Sequence, residues 1–422
     1  MNPKFKRTKL ACYTVNVTMA LIGNISPLLF LTFRSLYGIS YSLLGLLVLI
    51  NFSTQLLIDL VFSFFSHKFH IPATVRTIPW LTVCGLMIYA LAPLLFPNTV
   101  YVGLVLGTVI ASAASGLAEV LISPTIAAMP SENPEHEMSL LHSIYAWGVV
   151  GVVLVTTGFF LLFDAALWQF LIAFFLLIPL TSGVLFIGAP MPVMETPTRT
   201  SGAVRFLKQG GVWLCILAIF LGGAAECTMA QWASGYLERA LGIPKMWGDV
   251  CGVAMFAATL GFGRSLYSKI GKHVSRTLLW GAVGAAVCYL AAALSPYPVV
   301  GLIGCALTGF CVSMLWPGSL LVASERYPQG GVLIFALMAA GGDMGASFGP
   351  QLVGVVTDWA MESPAMLRIA TQLSLSTEQA GMKLGLLLGT IFCLCAIPVY
   401  ASFRHRERKH EQLAQKKTKL EE

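Results

Sequence analysis

The chain has 422 residues, of which 57% are hydrophobic and 11% are charged, and its formal net charge is +7. A soluble domain carries roughly 25% charged residues, so this chain has too little charge to cover the surfaces of ordinary soluble domains. Lipid is therefore the predicted outer solvent for most of the chain. Because the positive charges lie at the termini and in a few loops, they give no indication of a nucleic-acid partner.

Twelve apolar stretches are long enough to cross a bilayer as helices, which takes roughly 20 residues. In chain order the predicted spans are 10–33, 42–66, 74–95, 99–127, 138–163, 166–188, 209–237, 246–266, 274–294, 298–324, 330–357 and 379–403. The predicted fold class is an all-α membrane protein with twelve transmembrane helices.

A polar, proline-containing loop divides the predicted spans into two sets of six. The predicted domains are an N-terminal six-helix bundle (1–188), a central cytoplasmic linker (189–208), a C-terminal six-helix bundle (209–403) and a basic cytoplasmic tail (404–422). Segments 116–124 and 309–317, in the fourth and tenth spans, both place Gly eight residues before Pro. Such matches, in the same order in both halves, predict two parallel six-helix repeats with a solute site between them near the midplane.

The distribution of Lys and Arg predicts the orientation. An even number of spans puts both termini on one side, and 21 of the 26 Lys and Arg residues fall on that side. Since Lys and Arg accumulate in cytoplasmic loops, both termini are expected in the cytoplasm and the chain in the cell membrane.

Acidic side chains inside the spans are the strongest functional signal, because a charge at the bilayer centre costs roughly 2.5–3.5 kcal/mol on insertion scales. Four acids lie well inside predicted spans: Asp59, Glu119, Glu226 and Asp343. Three arginines lie only near span ends, from which they can reach outward: Arg34, Arg239 and Arg264. The acids are therefore expected to lack basic partners and to bind H⁺ or Na⁺ as coupling-ion candidates. A structural hydrogen bond, or for Asp59 a conformational latch, is the alternative.

Uncharged polar and aromatic side chains in the spans suit a sugar, whose hydroxyls bond amides and carboxylates and whose ring stacks on an aromatic face. Besides Glu119, the candidate substrate-binding residues are Asn24, Gln55, His142, Trp147, Gln231, Trp232 and Trp316. A lone membrane histidine such as His142 has a helix–helix hydrogen bond as its alternative. Trp80, Trp168 and Trp359 lie near predicted interfaces and are expected to be belt residues.

The sequence contains neither the phosphate-binding motif GxxxxGK[ST] of ATP-driven pumps nor the HExxH motif of zinc hydrolases. We therefore predict no enzyme, no catalytic residues, no cofactor and no metal site. The 10 cysteines lie within or beside apolar stretches without a CxxC pair, so they are expected to be packing residues.

Several segments resemble the major facilitator superfamily. The turn 261–272 resembles the signature loop of each half, and segments 116–124, 223–236 and 341–350 resemble the fucose-permease-like (FHS) sugar transporters. The resemblance implies a secondary transporter, with a proton or sugar role for Glu119. Two features depart from that branch. The loop 65–70 reads Phe-Ser-His-Lys-Phe-His in place of an acid with arginines, and the first span offers only Asn16 and Asn24 in place of an acid.

The sequence as a whole predicts a secondary active transporter with alternating access, which takes up a sugar or similar small polar solute together with H⁺ or Na⁺. The expected partners are the solute, the coupling ion and the bilayer, and the expected functional unit is a monomer. The alternatives are cation-driven efflux of a hydrophobic compound and a membrane sensor without transport.

Overall fold

The structure, a computed structural model, describes residues 5–65, 68–131, 134–193, 209–271, 273–327 and 331–421. Within these ranges the chain forms helices and short connections, without a strand. For some residues inside helices, only the backbone is described.

The first half contains six membrane-length helical segments. They are α1 (Lys6–Tyr37), α2 (Tyr41–Phe65), α3 (Ile71–Ala90, followed by the short helix Ala92–Leu95), α4 (Val100–Ala127), α5 (Pro134–Leu162) and α6 (Trp168–Phe175 and Leu177–Phe186).

The second half repeats this arrangement with more interruptions. Its segments are α7 (Gly210–Arg239), α8 (Lys245–Trp247, the π-helical Gly248–Ala254 and Met255–Ile270), α9 (Val274–Leu294), α10 (Pro298–Val312 and Leu315–Arg326), α11 (Gly331–Glu362) and α12 (Thr377–Glu421). The short helix Pro364–Gln372 connects α11 to α12.

The predicted twelve-helix membrane fold is confirmed. Among the described residues, eleven helices are long and apolar enough to cross a membrane. The twelfth is α11, which has 32 residues and carries Asp343. The structure describes little of the predicted linker, and only the backbone of most of the predicted tail. The linker 189–208 lies mostly outside the described residues, and the backbone of α12 continues as helix through the predicted tail to Glu421.

Close helix packing in both halves depends on small residues. This is usual in membranes, because lipid is as apolar as the helices and the hydrophobic effect does not drive them together. In the first half, a Cβ atom on Gly107 of α4 would lie 2.6 Å from the backbone nitrogen of Tyr89 in α3. In the second half, a Cβ atom on Gly345 of α11 would collide with the carbonyl oxygen of Phe220 in α7. These positions bring backbones together and fix the order of helices around each half.

The two halves meet along α2 and α11, which run antiparallel. We call the end of the bundle that carries both chain termini the terminal face, and the other end the opposite face. At the opposite face, the Asp358 carboxylate of α11 accepts hydrogen bonds from the backbone N–H groups of Tyr41 (3.3 Å) and Ser42 (2.6 Å) at the start of α2.

Further bonds join the halves nearby. The Lys245 ammonium of α8 donates to the Leu28 carbonyl of α1 at 3.1 Å, and the Tyr41 hydroxyl bonds Glu378 of α12. We call the bonds made by Asp358, Tyr41, Lys245 and Glu378 the opposite-face latch. It holds the two halves together at this end of the bundle.

One predicted belt residue was placed wrongly. Trp168 is fully buried, its indole N–H donates to the Tyr37 hydroxyl at 3.1 Å, and its ring packs edge-on against Phe33. Position along the chain put Trp168 near an interface, but the direction in which its side chain points puts it in the core. Trp80 and Trp359 are exposed, as expected of belt residues.

Candidate functional site

Three of the four predicted intramembrane acids lie together. They are Asp59 on α2, Glu119 on α4 and Asp343 on α11, and one carboxyl oxygen from each lies within 4.8 Å of the other two. We call these residues the acid triad. Asp59 and Asp343 are buried, whereas Glu119 is partly exposed. The first half contributes two acids and the second half contributes one, so the triad bridges the halves.

Electrostatics decides what the acid triad can do. Two ionised carboxylates 4.8 Å apart repel each other by about 3.5 kcal/mol at an effective dielectric constant of about 20. Burial adds a desolvation cost for each charge. The Asp343 Oδ2 atom has no hydrogen-bond partner among the described residues. The arrangement is therefore stable when protons or a cation neutralise part of its charge, and it is suited to binding them reversibly.

The fourth acid has a basic partner, so the expectation of an unpaired Glu226 was wrong. A terminal nitrogen of Arg264 lies 3.3 Å from Glu226 Oε1, and both side chains are about one-fifth exposed. Side chains lean toward the N-terminal end of their helix. Because α8 runs from the opposite face to the terminal face, this direction carries the Arg264 side chain back into the bundle instead of outward.

A proline explains how Arg264 is held. Its Nε–H donates to the Ser313 carbonyl at 3.0 Å, where α10 is interrupted between Val312 and Leu315. In an unbroken helix this carbonyl would accept from the N–H of residue 317, but Pro317 has none. Arg264 therefore takes the place of a missing helical donor and joins α7, α8 and α10.

A second backbone carbonyl, which lacks its helical donor because of a proline, links the two halves. Pro27 in α1 leaves the Gly23 carbonyl without its helical donor. The Gln231 side chain of α7 donates to that oxygen at 3.0 Å. Gln231 thereby closes a small cavity among α1, α2, α3 and α4.

This cavity, which we call the polar chamber, has a volume of about 20 Å³. Its polar lining residues are Ser26, Asn51, Tyr89, Thr108, Ser112 and Gln231. Ser112 donates to Asn51 Oδ1 at 2.5 Å, and the hydroxyls of Ser26 and Tyr89 lie 2.9 Å apart. Apolar side chains such as Ile25 and Leu47 fill the rest of the wall.

The predicted substrate residues fall in different places. Gln231 lines the chamber, and Gln55 lies on α2 beside Gly116 of α4, between the chamber and the acid triad. Asn24 donates to the Ala20 carbonyl of its own helix at 2.9 Å. Their roles in binding solute remain predictions.

The aromatic candidates are equally dispersed. Trp232 is buried beneath the latch, where its indole N–H donates to the Pro350 carbonyl at 2.8 Å. Trp316 packs on the backbone of Gly342, while Trp147 on α5 is 69% exposed. His142 lies on α5, and its side chain is outside the described part of the structure.

Sequence reasoning missed Arg264 and most of the chamber. A signal for the chamber was present, because Asn51, Gln55 and Asp59 recur every four residues on one face of α2. Ser112 and Glu119 are likewise two turns apart on α4. Extending the acidic positions by one and two turns would have found Asn51 and Ser112.

Three solved structures with the same fold match this chain at low sequence identity. A bacterial homologue of the human lysosomal transporter Spinster, in an inward-facing and occupied conformation, matches with a TM-score of 0.72 at 13% identity, over 95% of this chain and 97% of that one. A D-xylose–proton symporter matches with 0.69 at 16% identity, over 94% and 99%. The Escherichia coli fucose:proton symporter FucP matches with 0.58 at 14% identity, over 93% and 99%.

Sequence comparison gives the family. No curated protein matches this chain. A sequence model of the Major Facilitator Superfamily matches residues 11–350, which is most of the 422 residues. With this match, the twelve-helix fold and the two joined halves in agreement, the chain belongs to the Major Facilitator Superfamily.

Proposed function

We propose that this transporter takes up a small polar solute, a sugar or a similar molecule, by symport with H⁺ or Na⁺. The observation that carries the proposal is the acid triad, which is buried and draws its carboxyl groups from both halves. A coupling ion must act where the halves move against each other, and α2 and α11 provide that place.

The charge of the triad gives the coupling mechanism. With all three carboxylates ionised, repulsion between Asp59 and Asp343 opposes close contact of α2 and α11. Binding of H⁺ or Na⁺ removes that repulsion and favours the packed arrangement. Glu119 is the partly exposed member, so it is the group at which the ion enters from water. Ion binding thereby shifts the equilibrium between conformations, which is the condition for coupled transport.

The solute class draws support from two sources. Two structures with this fold are named as proton symporters of fucose and of D-xylose. The polar chamber supplies amide and hydroxyl groups of the kind that bond sugar hydroxyls. The Glu226–Arg264 pair adds an acceptor and a donor at partly exposed positions deeper in the bundle.

Orientation and assembly complete the proposal. The excess of Lys and Arg on the terminal face supports cytoplasmic termini in the cell membrane. The triad and the chamber are both complete within one chain, which supports a monomeric working unit.

Reconstitution in proteoliposomes tests the function. The solutes are radiolabelled neutral monosaccharides, fucose and xylose among them, offered under an inward pH gradient, an inward Na⁺ gradient or no gradient. We expect one gradient to raise the internal solute above the external concentration, and the Glu119→Gln variant to reach equilibrium only. Glu362→Gln, which changes an exposed acid at the end of α11, is the matched control. Equal final levels for every sugar under all three conditions would contradict the proposal.

A further inference from the structure

We infer that the polar chamber is the solute-binding site and that its ligand is a neutral, polyhydroxylated molecule. The inference rests on the proposed function and deepens it. It places solute recognition among α1–α4, with Gln231 of the other half as the closing group, and keeps it separate from the acid triad.

Two buried polar atoms in the chamber have unused hydrogen-bonding capacity. Gln231 Oε1 and Thr108 Oγ1 have no hydrogen-bond partner among the described residues, and the two side chains are 5% and 6% exposed. A buried polar group without a partner destabilises the protein, so such groups are usually kept where a ligand or water satisfies them. The amide oxygen accepts and the hydroxyl both donates and accepts, which matches the hydroxyls of a sugar.

The lining decides the charge of the ligand. None of the residues that line the chamber is Asp, Glu, Lys or Arg. A charged solute would lose its hydration there without gaining a counter-charge, at a large energetic cost. A neutral solute gains hydrogen bonds from the polar side chains and contacts for its C–H groups from Ile22, Ile25 and Leu47. The lining therefore selects neutral molecules over their acidic or amino analogues.

The size of the chamber links binding to conformational change. Its volume of about 20 Å³ has room for roughly one water molecule, so a sugar requires a wider form. Gln231 belongs to the second half and bonds Gly23 of the first. Separation of the halves at the opposite face withdraws Gln231 and widens the chamber toward that face. Entry of the ligand thus requires movement of Gln231, which is the part of the chamber wall that alternating access moves.

A row of polar residues joins the chamber to the acid triad. Asn51, Gln55 and Asp59 follow one another on one face of α2, and at 1.5 Å per residue Asp59 lies about 12 Å along the helix from Asn51. On α4, Ser112 and Glu119 are related in the same way. Solute and ion therefore act on the same two helices at different heights, so that each can change the position in which the other binds.

Ligand-induced stabilisation of the purified full-length protein tests the inference without any ion gradient. The probes are fucose, xylose and galactose, with galacturonate and galactosamine as charged analogues. We expect at least one neutral sugar to raise the unfolding temperature and the charged analogues to leave it unchanged. Thr108→Val, which keeps the shape and removes the hydroxyl, should weaken the binding of that sugar about two- to tenfold.

Control variants make the result specific. Thr156→Val removes another buried hydroxyl without a partner among the described residues, on α5 away from the chamber, and should leave affinity unchanged. If Thr108→Val does not fold, Gln231→Met gives the same test with the amide removed. The inference is overturned by binding to charged analogues alone, by unchanged affinity in the chamber variants, or by a response to none of the sugars.

The outcome also separates this inference from the proposed function. Ion-driven accumulation of another solute class, without binding of neutral sugars, would reject the chamber assignment and leave symport standing. Sugar binding that depends on Thr108, without accumulation under any gradient, would reject symport and leave the chamber assignment standing.

Discussion

Glu119 occupies a different position from the other two acids of the triad. Asp59 and Asp343 are buried, whereas Glu119 is partly exposed, so in the proposed mechanism Glu119 is the member that exchanges the ion.

Replacing Glu119 by Gln should uncouple solute movement from the ion gradient. The amide keeps the shape of the side chain but cannot gain or lose a proton at physiological pH. We expect accumulation in proteoliposomes to fall at least tenfold, to the equilibrium level, while solute counterflow between equal concentrations continues. Persistent accumulation by this variant would remove Glu119 from the coupling step.

Breaking the Glu226–Arg264 pair should cost stability in a way that a second change repairs. Arg264→Met leaves the Glu226 carboxylate and the Ser313 carbonyl without their partner, so we expect a loss of about 1–3 kcal/mol. The double variant Glu226→Gln with Arg264→Met should regain most of it, because no unpaired charge remains. Thermal unfolding of the two purified variants measures this, and equal instability would show that packing dominates.

Interrupted helices provide the bonding groups that join the helices around the site. Pro27 and Pro317 each free a carbonyl oxygen, and Gln231 and Arg264 donate to those oxygens. The start of α2 likewise has backbone N–H groups without a partner inside the helix, and Asp358 of α11 accepts from two of them. An anionic acceptor at a helix N-terminus also gains from the helix dipole.

Replacing Asp358 by Asn should weaken the opposite-face latch. The amide oxygen can accept a hydrogen bond but carries no charge, and a loss of about 1 kcal/mol corresponds to a roughly fivefold larger open population. A cysteine introduced at Ser26, in the chamber wall, should then react about five times faster with a water-soluble maleimide. Glu362→Gln serves as the control, and an unchanged labelling rate would show that Asp358 does not hold the halves closed.

Hydropathy and the proline pattern predict the helices well, because a helix is formed by residues that are neighbours along the chain. The twelve spans, their order and the two-half arrangement follow from this information. Neighbours across the bundle do not, since Asp59 and Asp343 are far apart in sequence and meet only when α2 packs on α11. The wrong predictions for Arg264 and Trp168 have the same origin. The depth of a residue in the membrane can be predicted from its position along the chain, whereas the direction of its side chain around the helix cannot.

The whole molecule has an uneven distribution of charge. The sequence assigns most Lys and Arg residues to the terminal face, and Asp59 and Asp343 are buried inside the bundle. Such an asymmetry fixes how a multi-pass protein is inserted. In the proposed symport, the direction of the ion gradient that drives uptake depends on this orientation.

Labelling of intact cells checks the orientation. In a background where the exposed Cys84 and Cys395 are replaced by Ser, a cysteine at Glu362 should react with a membrane-impermeant maleimide. A cysteine at His405 should react only after the cells are opened. The reverse pattern would place the termini outside and contradict the charge rule for this chain.

The two halves contribute different kinds of group to the opposite-face latch, so the latch restricts the amino acids of the second half more than those of the first. At Ser42 the first half contributes a backbone N–H group, which every amino acid except proline provides. At position 358 the second half contributes a carboxylate, for which only glutamate is a chemical substitute. Saturation mutagenesis should therefore find a tolerant position 42 and an intolerant position 358, and natural variation among relatives that keep this latch should accumulate on its first-half side.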